Sequence, residues 1–545
     1  MIKNLLYNLS RSHYGKIFLV LFLFLFLSLV SLFIFYNGYL INFELINRKL
    51  FAGRTFGFLD HVPYHSFSIL LSSLLHPVFL LGLIILYFPL IFFRKTFFSK
   101  EFIYQNSERL LVFAAAFLLT WELVTYEYNY YLDSAFYFDR ILLIILTLGL
   151  LRFPLLTPLY IAFAFVYRSQ FNYPVAGFEL YDKRLLFDIL ILFVSFRYIK
   201  AFVNDFKFSF VWLTMCIVAA NYFYTGIGKV IISPHGYEWL TENNLADLFL
   251  NVHSRGWMAD ASEGTISSIW NFFNTFHIPL QFLVLITELS GLFLLRNRKL
   301  SLIIVSATFI MHIGIFICGS MLFWKWMAID LILFYLIWKN KKVVEELRYK
   351  TFFTTSVIVI VFAFAWLRPY KIGWFDTHYN QYFTYEVEDK NGNAYQLTKN
   401  EMNPYHQWFQ YDHFLFMCGF KCLPVTGFGY TYNYEVFDAL RKSNKMALDE
   451  PLDELGSDNY NSDKTEAYSD FIKVYFKNRN KRLGQHLFFS YLAAPYHLHN
   501  SSKGELYNDQ APVTKFKVIY NLSFNSLGKS IQLDKRTLHE VIIPE

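Results

Sequence analysis

Apolar runs of roughly 17–25 residues recur along this chain, the length a helix needs to cross a hydrocarbon core about 30 Å thick. They include Ile17–Tyr36, Ser66–Phe93, Leu110–Tyr126, Phe208–Tyr224, Ile278–Leu295, Leu300–Ser320 and Leu322–Trp338. Only 17% of the 545 residues are charged, against about 25% in ordinary soluble domains. The sequence therefore predicts an all-α polytopic membrane helical bundle. Its 63 Phe and 39 Tyr suit lipid-facing helix surfaces and interfacial belts. The net charge of +7 is no nucleic-acid signal, because the basic residues cluster in short loops between apolar runs.

Those loops orient the chain. Lys3, Arg11 and Lys16 place the N-terminus in the cytoplasm, and Ile17–Tyr36 then crosses outward as an uncleaved anchor. Ser66–Phe93 returns to Arg94, Lys95 and Lys100, and Leu110–Tyr126 exits to an aromatic, acidic stretch. Ile141–Leu151 and Leu155–Tyr167 are short and interrupted by Arg152, Pro154 and Pro158. They read equally as one broken span or a tight helical hairpin. Leu185–Phe196 follows; Phe208–Tyr224 then exits, and Thr225–Phe276 is expected to stay outside. Ile278–Leu295 ends at Arg296-Asn297-Arg298-Lys299, and Phe352–Leu367 exits last. The count is about 9–11 spans, with everything after Arg368 extracytoplasmic.

Residues 369–545 lack long apolar runs and predict a small extracytoplasmic β-rich domain. Tyr382–Asp389 and Ala394–Leu397 flank the turn signal Lys390-Asn391-Gly392-Asn393 and read as a hairpin. Lys515–Phe524 alternates as a half-buried strand does, and Leu538–Ile543 reads as another. A short helix is expected near Glu435–Lys442, and a mobile acidic loop over Asp449–Glu466. The predicted units are 1–104, 105–368 and 369–545.

Ionisable groups inside spans are costly and are functional candidates by default. Here they are Glu122, Asp188, Glu288, His312, Lys325 and Asp330, with Lys229 at an outer edge. Each has a plainer reading. Lys325 beside Trp324 reads as a snorkelling interface lysine, Asp188 as a helix-start charge, and Glu122 as an interfacial acid. Lys229 reads either as an end-of-helix anchor or as an amine made basic by desolvation. His497 and His499 share a face if extended, but no companion ligand pattern accompanies them, and no metal is expected. Cys418 and Cys422 would lie in an oxidising compartment, where a local disulfide is one outcome. Nucleotide-binding and hydrolase motifs are absent from the sequence.

Two stretches resemble the horizontally transferred transmembrane domain, the membrane core of vitamin K-dependent γ-glutamyl carboxylases and bacterial relatives. The first is Tyr222-Phe223-Tyr224-Thr225-Gly226-Ile227-Gly228-Lys229-Val230, with Trp239 after it. The second runs from Thr287-Glu288-Leu289-Ser290-Gly291 through Arg296 to Ile310-Met311-His312 and Met321-Leu322-Phe323. The resemblance spans roughly Asn106–Trp338. It implies that Lys229 is the base that deprotonates a quinol (vitamin K hydroquinone or menaquinol), with Glu288 and His312 assisting. Tyr222, Gly226 and Trp239 would border the quinol, and the substrate would be an extracytoplasmic peptide. The chain departs from the family's pattern at Ile231-Ile232-Ser233-Pro234-His235-Gly236, inserted before Trp239, and in its short exported part. A non-catalytic membrane protein that binds a lipid or partner, or assists maturation of an exported peptide, is the alternative expectation.

Overall fold

The computed structural model describes residues 12–31, 105–169, 183–203, 207–402, 409–443, 449–499 and 504–544, plus isolated positions between them. The expected span Ser66–Phe93 lies largely outside the described residues. Among the described residues, three helices are long and apolar enough to cross a membrane: Phe210–Ile231, Glu263–Phe293 and Arg298–Gly319. Shorter apolar helices accompany them.

In chain order the helices are α1 (His13–Val30), α2 (Asn106–Val124), α3 (Tyr137–Leu150), α4 (Thr157–Ser169), α5 (Arg184–Phe202) and α6 (Phe210–Ile231). After a single turn at Glu238–Thr241 come α7 (Leu245–Ser254), α8 (Glu263–Leu289), α9 (Arg298–Gly319), α10 (Trp324–Lys339) and α11 (Lys350–Val361). The ambiguous stretch resolves into two helices, α3 and α4, joined through a 3-10 turn at Pro154–Leu156. Pro154 sits at the start of that turn, where its missing N–H costs no hydrogen bond.

Helix α6 is buried along most of its length, with Trp212, Met215 and Ile217 in the main apolar core. By contrast, α8 and α9 turn Phe272, Phe282, Leu283, Ile286, Ile303 and Ile310 outward. Such a contiguous apolar surface is expensive in water and unremarkable in lipid.

Two boundaries differ from the sequence reading. The segment Thr225–Phe276, expected to be an external connection, is helical over much of its length. Helix α6 runs on through Gly226 and Gly228 to Ile231, with the Leu289 and Glu288 side chains packed on Gly226 and the backbone of Lys371 and Ile372 on Gly228. Helix α8 begins at Glu263, well before the predicted Ile278, and bends at Phe276 (φ −107°). Pro279 cannot donate to residue 275 and its ring crowds that carbonyl, which accounts for the bend.

The C-terminal part is built on an antiparallel sheet of order β3-β2-β5-β6. Its strands are β2 (Tyr379–Asp389), β3 (Ala394–Leu397), β5 (Val513–Ser526) and β6 (Lys529–Ile542). A two-stranded ladder pairs β1 (Phe375–Asp376) with β4 (Tyr430–Thr431). The β2–β3 hairpin stands where the turn residues put it, with Gly392 at φ +82°. The β5–β6 turn uses Leu527 and Gly528, both at positive φ, which matches the twist of the flanking strands.

The acidic stretch 449–466 is not a loop. It holds helix α13 (Asp449–Leu455) and the start of α14 (Ser462–Asn480), after α12 (Tyr434–Lys442). Asn461 caps α14 by accepting from the Lys464 N–H. Its Tyr468, Phe471, Ile472, Tyr475 and Phe476 form one apolar stripe in the core with Phe383, Tyr385, Phe516 and Val518 of the sheet. That burial outweighs the polar composition.

Candidate functional site

Lys229 lies in the last turn of α6, where the negative end of the helix dipole favours a cation. Its Nζ donates to both oxygens of Glu288 on α8, at 2.7 Å each. A third donation reaches the Ile372 carbonyl at 3.2 Å, and the Trp239 ring centroid lies 5.3 Å away. Both side chains are at least nine-tenths buried. The structure thus brings together three of the sequence candidates, Lys229, Glu288 and Trp239, from three separate segments.

Glycines make this closeness possible. A methyl on Gly226 would come within 2.9 Å of Leu289 and 3.2 Å of the Glu288 Cβ. One on Gly228 would meet the Lys371 carbonyl carbon at 3.0 Å, and one on Gly291 the Ala219 carbonyl oxygen at 2.7 Å. The bare backbone at Gly226 and Gly228 is therefore covered by the chain itself.

Two turns back on the same helix, about 10 Å along its axis, Tyr222 anchors a second buried cluster. Its hydroxyl donates to Asp330 Oδ2 at 2.8 Å and lies 2.9 Å from His312 Nε2. A hydroxyl has one proton, so donation to Asp330 makes His312 the donor through Nε2. His312 Nδ1 then carries a lone pair with no partner among the described residues. The Trp326 ring meets Tyr222 edge-on at 5.5 Å. His312 therefore belongs with Tyr222 and Asp330, not with the lysine.

A third cluster was not legible as such. Glu122 receives Lys183 at 2.8 Å and Lys325 at 2.7 Å, all three buried. Lys325 therefore does not snorkel; a carboxylate within the fold holds its ammonium. Asp188 sits one turn into α5 and faces Arg184 at 3.6 Å.

Outside the bundle, His497 and His499 bind backbone. Met321 pairs with Leu498, the His499 N–H donates to the Ser320 carbonyl and the Leu322 N–H to the His497 carbonyl. This segment ties the sheet region to the α9–α10 connection. No group of three His, Cys, Asp or Glu among the described residues is placed to hold a metal ion. Cys418 and Cys422 are buried free thiols in mutual hydrogen-bonding contact.

No family model, curated protein or solved structure matches this chain. The chemistry of the site rests on its own geometry. An amine held by a carboxylate can shift one proton between them, and a buried tyrosine–histidine–aspartate set can hold or pass another. Sequence reading missed Lys183 and the Ile372 carbonyl. Only the opposite charges of Glu122 and Lys325 signalled any of these contacts.

Proposed function

We propose that the chain is a multi-pass membrane enzyme of the carboxylase-like kind, N-terminus cytoplasmic and sheet region outside, acting on an extracytoplasmic peptide. The observation that carries this is the Lys229–Glu288 pair beside Trp239 at the outer end of α6. The donor set fits a quinol in its chemistry: a buried amine–carboxylate couple, an aromatic face, and hydroxyl and imidazole groups two turns away. When bound, such a quinol (vitamin K hydroquinone or menaquinol) supplies, with oxygen, a base strong enough for carboxylation at carbon.

The chain's own part is proton handling. Transfer of one proton from Lys229 Nζ to Glu288 along a 2.7 Å hydrogen bond leaves a neutral amine beside a neutral acid. The amine can then accept a proton from an acidic hydroxyl. Burial keeps competing water from the pair.

A second reading has an observation of its own. Gly226, Gly228 and Gly291 are all packed by neighbouring chain, which favours a structural clamp in a non-catalytic protein that binds a lipid or partner or assists peptide maturation. The test is quinone epoxide formation by purified protein in nanodiscs with reduced vitamin K or menaquinol and oxygen, wild type beside Lys229→Ala. Epoxide from wild type alone supports the enzyme; none from folded wild type across several quinols supports the clamp.

A further inference from the structure

Residues 487–494 read Leu-Phe-Phe-Ser-Tyr-Leu-Ala-Ala, a stretch without a charge. They hold a 3-10 turn at Phe488–Leu492. Three residues make one turn of such a helix, so Phe488 and Tyr491 share a side. Those two are 70% and 75% exposed, and Leu492 is 59% exposed. The bundle holds the turn from its other side. Trp121 Nε1 donates to the Leu492 carbonyl at 2.8 Å, and the Ala494 N–H to the Thr125 hydroxyl at 3.1 Å. Trp121 meets Trp324 edge-on at 5.3 Å. Trp121 and Thr125 lie at the end of α2, and Trp324 begins α10. The turn thus crosses helix ends marked by two indoles, the residues that gather at a membrane–water boundary.

The β5–β6 tip has the same character. Leu527 is 86% exposed and sits at φ +47°, a conformation that hairpin turns usually give to Asn, Asp or Gly. A leucine there is unfavourable for its backbone and, in water, for its side chain. The tip leans on α8: a methyl on Gly528 would come within 3.1 Å of the Trp270 ring, and Lys529 faces Glu263 at 3.5 Å. Helix length sets the level of Trp270. About 20 residues at 1.5 Å each cover a hydrocarbon core of about 30 Å. Counted back from Phe293, where the span ends near Arg296, they reach Phe273. Trp270 then stands one turn beyond, at headgroup depth, and the exposed Phe272 and Phe276 carry the apolar surface on down α8.

We infer that the sheet region rests on the outer leaflet through these two tips, with Phe488, Tyr491, Leu492 and Leu527 lodged among the lipid headgroups and upper acyl chains. Lipid is the occupant that fits. Both tips lie beside helix ends at that depth, and each carries large apolar groups where a turn in water carries polar ones. Two separate points of contact hold the sheet at one height and tilt over the helices. The inference rests on the membrane-spanning reading of the chain and not on any chemistry at Lys229.

Nitroxide labels on introduced cysteines test it, with full-length protein in phosphatidylcholine nanodiscs. Cys216, Cys318, Cys418 and Cys422 are all buried, and wild type treated with the label sets the background. The test positions are Tyr491→Cys and Leu527→Cys. Ile310→Cys, on the outward face of α9, and Lys535→Cys, exposed on β6, are the references. Power saturation compares collisions with oxygen, which concentrates in lipid, and with a nickel chelate, which stays in water. Both tips should favour oxygen, at a shallower depth than Ile310→Cys, while Lys535→Cys favours nickel. Tips that follow Lys535→Cys while Ile310→Cys favours oxygen overturn the seat and leave the membrane reading standing. Nickel access at Ile310→Cys overturns both. Few collisions with either reagent at the tips means that protein covers them, which overturns the lipid assignment. Lipid contact at one tip alone overturns the two-point seat.

Discussion

Glu288 holds the Lys229 ammonium with both carboxylate oxygens at 2.7 Å, joining helices whose contact is otherwise set by packing around Gly226 and Gly291. Breaking a buried pair from one side leaves an uncompensated charge, at a cost of about 3–5 kcal/mol. Lys229→Met should therefore lower stability by about that much. Lys229→Met combined with Glu288→Leu should recover most of it. Chemical unfolding in one detergent, followed by tryptophan fluorescence, measures all three proteins.

A closely packed glycine can be separated from a harmless one. Gly291→Ala drives a methyl to 2.7 Å from the Ala219 carbonyl oxygen, backbone that cannot swing away. Overpacking of this kind costs about 1–3 kcal/mol. Gly314 has open space around it, so Gly314→Ala should be neutral or slightly stabilising through helix propensity. Thermal midpoints of the two variants should move apart.

Asp376 gives the folded protein a pH signature. Burial pushes its carboxyl up to about 8, against hydrogen bonds from Asn243 and Trp374 that pull it down. The unfolded chain ionises near the ordinary carboxylate value while the folded chain stays protonated. Stability from this group is thus fully present below about pH 4 and falls as pH rises toward 8, by up to about 1.4 kcal/mol per pH unit. Asp376→Asn should flatten that slope and raise stability most at pH 8. Unfolding midpoints from pH 5 to 9 check it.

The Glu122 cluster predicts an asymmetry. Glu122→Gln strands two buried ammonium groups, Lys183 and Lys325, and should cost about 3–5 kcal/mol. Lys325→Met removes the surplus cation while Lys183 keeps its partner, and should cost clearly less. Equal losses in the two variants would contradict the pairing.

Local signals were legible in the sequence where local chemistry decides. Asn391, Gly392 and Asn393 marked the β2–β3 turn because Asp389 accepts from the backbone of residues 391 and 393 there. Residues 449–466 misled through composition, acidic and polar, because the apolar positions that anchor the helix Ser462–Asn480 lie mostly beyond them, recurring at helical spacing and meeting the sheet. The site was legible as residues and not as partners. Lys229 and Glu288 are 59 residues apart and Tyr222 and Asp330 are 108 apart, and only the packed helices decide which acid meets which base.

The most direct test of Lys229 as a proton acceptor is Lys229→Arg in the epoxide assay, read beside its unfolding midpoint. Arginine keeps the charge and the contact with Glu288 but does not give up its proton near neutrality. The account predicts a midpoint close to wild type and loss of epoxide formation. Full epoxide formation by the arginine variant would contradict it, leaving the pair a clamp between two helices.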